Sequence, residues 1–314
     1  MPVPARSFLS AVIAAVAGKF ERINVLFLVI GFACSPFGYA NDAAARPLET
    51  QQLATAPQTI RFLLTFDDGP SAAEDQNPTL SILDDLARNP VQPGIKAIFF
   101  VQTRAVNGGG TALGQQIMRR ENAEGHVLGF HTATARHANH RHLIPEEFEQ
   151  SLVNGIADIT AITGMAPKLV RPPFWNYDQR TFSVYQKHGL HVLLTDLSAN
   201  DGKTYGVNFS LRRRSYLLGE LDKVRQQIRA GALTPVNGDI PIIVCFHDTN
   251  TYTARHMQEY LEILTDSARE LGMRTAAKPF YDDARELELA ALSRTVSDAS
   301  HIVRIPGFWN WLWQ

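Results

Sequence analysis

Cysteine is nearly absent from this chain: Cys34 and Cys245 are the two in 314 residues. That excludes a disulfide framework and a four-cysteine zinc site, and it leaves His, Asp and Glu to hold any metal. A strong charge of either sign is missing as well. The formal net charge is −1, so the composition gives no sign of nucleic acid or another polyanion as partner, since proteins that bind them carry a basic excess. No glycine-rich phosphate fingerprint follows the first apolar run, which argues against a dinucleotide-binding sheet, and no internal repeat is visible. What is there is ordinary globular composition, 45% hydrophobic and 19% charged, ample for one large core.

The N-terminus reads as a targeting segment. "SFLSAVIAAVAG" follows Arg6, "KFERIN" interrupts, and "VLFLVIGFACSPFGYA" ends in small residues at Gly38 and Ala40. A basic flank, a short apolar core and a small-x-small end describe a secretory signal, with cleavage expected after Ala40. An uncleaved membrane anchor is the alternative, although two apolar halves broken by charges suit a single span poorly. Residues 1–40 are therefore assigned as signal peptide or anchor, and the protein as exported: secreted, periplasmic or membrane-anchored. Residues 41–58, polar and Ala/Pro-rich, read as a linker.

From residue 59 the pattern alternates. Strand-like runs "TIRFLLTF", "KAIFFV", "HVLGF", "PKLVR", "HVLLTD", "IPIIVCF" and "GMRTAA" are separated by helical patterns such as "PTLSILDDLAR" and "ARHMQEYLEILTDSARELG". Strict alternation predicts a parallel sheet with helices on its outer face, and about seven strands favour an α/β barrel over residues 59–277. Residues 278–314 form a C-terminal tail with an aromatic end, "GFWNWLWQ"; packing on the barrel exterior is expected, with a membrane-surface or partner contact as the alternative.

Polar clusters fall where strand-like runs end: Asp67-Asp68, His131, Arg171-Pro172-Pro173, Asp196 with Asp201, and His247-Asp248. In one barrel they would share one mouth. A carboxylate and two imidazoles make a three-ligand site for a divalent metal, most simply Zn2+, and Asp68, His131 and His137 would serve. A cation there offsets the repulsion between the adjacent acids. One acid binds it, and its neighbour stays free to take a proton from water. Trp175 and Tyr177 are candidates for stacking on sugar rings. His126 is expected to satisfy a strand end, and Cys245 to be a small core residue.

"TFDDGP", "HT…H", "RPPF" and "FHD", in this order, resemble the polysaccharide deacetylases, the NodB-homology enzymes of carbohydrate esterase family 4, over roughly residues 60–276. The resemblance implies a distorted, NodB-like (β/α) barrel and removal of N-acetyl groups from an amino-sugar polymer or oligomer. It also implies residue roles. Asp67 would be the base, Asp68 and His131 metal ligands, Arg171 the residue that holds the base, and His247 the general acid. Asp196 or Asp201 would keep His247 charged, and the Phe174 backbone N–H would stand where an oxyanion donor belongs. Two departures stand out. The usual five-residue "H-[ST]-x-x-H" is broken by Ala135, so His137 is read as the second histidine after a two-residue insertion, with His140 and His142 as rivals. The expected Trp after the fifth-strand Asp is Gly202, so Trp175 or Tyr205 would have to wall the acyl pocket. Acetyl-xylan esterase, small amide or imide hydrolase, and non-catalytic sugar-binding module are the alternative readings.

Overall fold

Four residues, 193–196, separate Val192, the end of one edge strand, from Leu197, the start of the opposite edge strand, and this short link sets the shape of the sheet. In the computed structural model, residues 58–201 and 213–299 are described, all within the compact unit 54–314. The signal or anchor segment, nearly all of the linker, Tyr205 and the aromatic end of the tail lie outside the described residues. Among the described residues no helix is long and apolar enough to cross a membrane.

The strands are β1 (Thr59–Asp67), β2 (Ala97–Gln102), β3 (Val127–Thr132), β4 (Leu169–Val170), β5 (His191–Val192), β6 (Leu197–Ser198), β7 (Asp239–His247) and β8 (Thr275–Phe280). All pairings are parallel, in the order β5-β4-β3-β2-β1-β7-β6, with β8 pairing β1 as well. Laid flat, seven strands at about 4.8 Å spacing would put the two edges about 29 Å apart. The five steps from Val192 to Leu197 reach at most about 17 Å. The sheet must therefore curl until its edges nearly meet, which is the barrel expected from the alternation, with the distortion that the resemblance implied. The sequence reading of "HVLLTD" as one strand is corrected here: it ends β5 and then crosses the seam toward β6 on the far edge.

Helices cover the outside: α1 (Pro78–Ala87), α2 (Ala112–Ala123), α3 (Pro145–Thr163), α4 (Gln179–Lys187), α5 (Arg213–Arg229), α6 (Thr251–Arg255) and α7 (Met257–Glu270). Their starts are written in the sequence. Asn77, Thr111 and Asp178 each accept a hydrogen bond from a first-turn amide, and Asp178 forms a capping box with Thr181. Met257, Tyr260, Leu261, Leu264 and Ala268 put one apolar stripe of α7 into the core. At Gly155 of α3 an added Cβ would lie 2.1 Å from the Phe130 ring, so only glycine lets this helix approach β3.

Strand parity divides the core. Phe62, Leu64 and Phe66 of β1 face the helices, whereas Leu63 faces inward with Ile98, Phe100, Leu169, Leu193 and Ile243. The two-residue period then brings Thr65 and Asp67 to the same inner face, toward the C-terminal ends of the strands. The inner core also includes Tyr281 and, from α8 (Ala284–Leu292), Leu287, Ala290 and Ala291. The boundary drawn at residue 277 thus cuts through β8, and residues 278–292 supply part of the barrel interior rather than an exterior tail. Beyond α8 the chain crosses the seam: Arg294 donates to Asp196 (2.5 Å) and to the Pro241 carbonyl (3.2 Å), and the Val296 amide donates to the Val192 carbonyl (3.0 Å).

Removing the guanidinium with Arg294→Ala leaves a buried Asp196 carboxylate without its cation. A loss of about 3–5 kcal/mol is expected in urea unfolding, as for breaking one partner out of a buried pair. An unchanged midpoint would mean that the seam does not need this clasp.

Candidate active site

The nine-residue register of β1 on β7 places Asp67 directly beside His247. Paired residues on neighbouring parallel strands point to the same face, so a carboxylate and an imidazole meet at one mouth. Asp68, next along, would point to the opposite face if the strand continued. Instead its φ is 74°, a left-handed conformation that Asp tolerates better than most residues, and its side chain turns to the mouth too. Gly69 follows because nothing larger fits: a Cβ there would lie 1.9 Å from the buried Asp248 carboxylate, which accepts from the Thr79 hydroxyl at 2.8 Å.

Arg171 holds this end of the barrel together. It is fully buried, and its guanidinium donates to Asp67 Oδ1 (2.8 Å), the Thr65 hydroxyl (2.7 Å) and the carbonyls of Leu193 (3.1 Å) and Leu194 (3.2 Å). The Phe100 ring lies 4.3 Å below it and the Trp175 ring 5.0 Å away. The other Asp67 oxygen faces the Cys245 thiol at 3.4 Å. Burial pushes that thiol's pKa well up, so Cys245 is a neutral inward-facing residue rather than a nucleophile.

Asp68, His131 and His137 converge. His131 Nε2 lies 3.2 Å and His137 Nε2 3.5 Å from Asp68 Oδ1, and the two imidazole nitrogens are 3.1 Å apart. His131 Nδ1 donates to the Arg171 carbonyl (2.7 Å), which leaves Nε2 as an acceptor pointing at Asp68. Burial pushes the His137 pKa down to about 4, against the pull of Asp68 and with help from His131. Lone pairs facing one another at these separations fit a single cation. Ligands at about 2.0–2.2 Å in a tetrahedral shell stand about 3.3–3.6 Å apart.

Across the mouth, His247 Nδ1 donates to Asp201 Oδ1 (2.8 Å). Asp201 is itself fixed by the His247 amide (2.9 Å), the Thr253 hydroxyl (2.6 Å) and the Asn250 side-chain amide. Burial opposes the imidazolium, but Asp201 first, then Asp68 and Asp67, push the His247 pKa up to about 10.

Several expectations are corrected by this geometry. Asp196 does not pair with His247; it accepts from Arg294 and the Ile243 amide (2.8 Å) at the seam. Burial raises its pKa against those contacts. His140 is fully buried against Tyr185, and His142 is exposed outside the cluster, so neither joins Asp68 and His131. Tyr177 is buried and packs on Phe182 (6.1 Å), away from any sugar-stacking surface. His126 accepts from the Ala97 amide (3.1 Å) at the start of β2, as expected for a strand end. Phe174 is 50% exposed, stacks on His137 at 4.4 Å between ring centroids, and shares a left-handed backbone with Trp175. Thr65 and Cys245 were missed as neighbours of Asp67, although the two-residue period from Asp67 and His247 points to both.

The polysaccharide deacetylase family model matches residues 55–193. Over this segment the chain carries that family's pattern, and the resemblance read from the motifs is borne out. The chain is 30% identical to a chitin deacetylase of Pestalotiopsis sp. over 183 residues, 54% of this chain and 57% of that protein. It is 26% identical to the peptidoglycan-N-acetylglucosamine deacetylase PgdA of Listeria monocytogenes over 156 residues, 50% of this chain and 30% of that protein. It thus spans little more than half of the first of these relatives and under a third of the second. The fold is shared with the chitin deacetylase of Colletotrichum lindemuthianum at a TM-score of 0.50 and 21% identity, covering 79% of this chain and 97% of that one. It is also shared with a family 4 acetyl xylan esterase of Clostridium thermocellum at 0.50 and 22%, covering 75% and 98%.

His247 gains its proton partner on folding, so its pKa is raised from 6.5 to about 10. Its contribution to stability is complete below pH 6.5 and is lost as pH rises through 10. Urea unfolding of the wild type should weaken across that window, and Asp201→Asn should flatten the dependence. An equal slope in both would contradict the pairing.

Proposed function

We propose that this chain is a metal-dependent hydrolase that removes N-acetyl groups from an amino-sugar polysaccharide or oligosaccharide of chitin, peptidoglycan or poly-N-acetylglucosamine type. The observation that carries the reading is the juxtaposition of two opposed proton-transfer groups, Asp67 and His247, beside the Asp68–His131–His137 cluster. The names of the chitin and peptidoglycan deacetylase relatives support the substrate class.

Asp68, His131 and His137 would hold the divalent cation, most simply Zn2+, which supplies Lewis acidity to water and to the scissile carbonyl. Asp67 takes the proton of the attacking water. Arg171 keeps it oriented, because two of its fixed donors bind Asp67 Oδ1 and, through Thr65, the strand below it. The Phe174 backbone N–H is assigned to the developing oxyanion. Trp175 is assigned to the acyl wall, over the guanidinium that orients the base. His247 commits Nδ1 to Asp201, so its Nε2 proton is the one available to the leaving nitrogen. An amide nitrogen needs that proton because its anion is a very poor leaving group. The basic, apolar and small-residue sequence of residues 1–40 supports export to where such polymers lie.

Acetate release from N-acetylglucosamine oligomers tests the proposal. Activity is expected with Zn2+ and lost with chelator, and Asp67→Asn should lower turnover about 10²–10⁴-fold while metal content holds. A fully active Asp67→Asn contradicts the base assignment. Release from acetylated xylan alone would establish an esterase. Oligomer binding that survives chelation, with no acetate released, would establish a sugar-binding module.

A further inference from the structure

The two histidines of the cluster are held in different ways. His131 sits in strand β3, and its far nitrogen is locked by the Arg171 carbonyl. His137 has no hydrogen-bond partner for Nδ1 among the described residues, and it sits in the irregular segment between β3 and α3. Its position depends on how that segment is tied down.

The ties lead to His140, three residues on. His140 is fully buried, and its Nδ1 is 2.7 Å from the hydroxyl of Tyr185, also fully buried, on α4. Its ring lies near parallel to Phe130 of β3 (5.9 Å, 16°) and packs on Phe148 of α3 (5.1 Å). The backbone beside it is gripped from α4 as well: Arg180 donates to the carbonyls of His140 (3.2 Å) and Arg141 (3.0 Å). Arg141 in turn reaches Asn176 (2.7 Å) and Asp178 (3.3 Å), just past Phe174, whose ring covers His137. On the other side the Val106 amide donates to the Ala135 carbonyl (3.1 Å). A polar ring this deep in an aromatic pocket is costly, and the Tyr185 hydroxyl supplies the one hydrogen bond it makes, at Nδ1, while Nε2 has no partner among the described residues.

We propose that the His140–Tyr185 pair is the anchor that positions His137 for metal binding. His140 is a positioning residue: it touches no ligand atom but fixes the register of the segment that delivers one. The proposal rests on the reading that Asp68, His131 and His137 take a divalent cation.

Co2+ titration of the purified chain, followed by visible absorption and calorimetry, tests it, with the melting temperature of the metal-free chain measured alongside. Tyr185→Phe keeps the ring and deletes only the hydroxyl. His140→Leu keeps apolar packing and deletes the bond. His140→Asn keeps a polar atom at the Nδ1 position. Tyr185→Phe and His140→Leu are expected to weaken Co2+ affinity about tenfold, as outer-shell changes do, and to alter the cobalt absorption. His140→Asn should retain more affinity than His140→Leu. If His140→Leu fails to fold, Tyr185→Phe decides. Wild-type affinity and spectrum in Tyr185→Phe, alongside loss of binding in His137→Ala, would overturn the anchor and leave the metal reading standing. No Co2+ binding by the wild type, or equal binding by His137→Ala, would overturn the metal reading and the anchor with it.

Discussion

The ion pair between Arg171 and Asp67 is the interaction on which the rest depends. Both side chains are buried, so neither charge is tolerable alone. The guanidinium spans from the end of β4 to the end of β1 and reaches the two carbonyls, Leu193 and Leu194, that begin the crossing between the sheet's edges. One side chain thereby orients the residue assigned as base and ties the open side of the barrel. Lysine could not replace it, since a single ammonium cannot address a carboxylate, a hydroxyl and two carbonyls in one plane. The Arg171 carbonyl also fixes the His131 tautomer, so the same residue conditions the cation site through its backbone.

Around that pair, function follows from strand register. β1 and β7 run in phase from Thr59–Asp239 to Asp67–His247, so proton acceptor and donor are set by nine consecutive pairings rather than by loop geometry. The departure from regular structure comes one residue later, where the left-handed Asp68 turns a second carboxylate to the same mouth. Left-handed backbone recurs at Phe174 and Trp175 on the facing loop. Such conformations persist only where the surroundings enforce them, and here the buried Asp248 against Gly69 and the aromatic stack on His137 do so.

Much of this was legible in the sequence. Apolar runs ending in Asp67, His131, Arg171 and His247 marked the mouth, because a strand's last inward residue is where a barrel exposes chemistry. Choices between near neighbours of one type were not legible. His137 and His140 are both imidazoles in one short segment; what separates them is that Phe130, Phe148 and Tyr185, from three distant elements, close around His140. Asp196 and Asp201 lie five residues apart, and only the seam between β5 and β6 sends one toward Arg294 and the other to His247. The apolar face of α8 gave no sign of direction either. Its Leu287, Ala290 and Ala291 suit an exterior helix equally well, yet they fill the barrel.

The most direct measurement is a crystal structure of the Zn2+-soaked chain with anomalous scattering at the zinc edge. The account predicts one peak about 2.0–2.2 Å from Asp68, His131 Nε2 and His137 Nε2, with Asp67 still paired to Arg171 and off the metal. A peak bound by Asp67 with that pair broken, or no peak among these side chains, would contradict it.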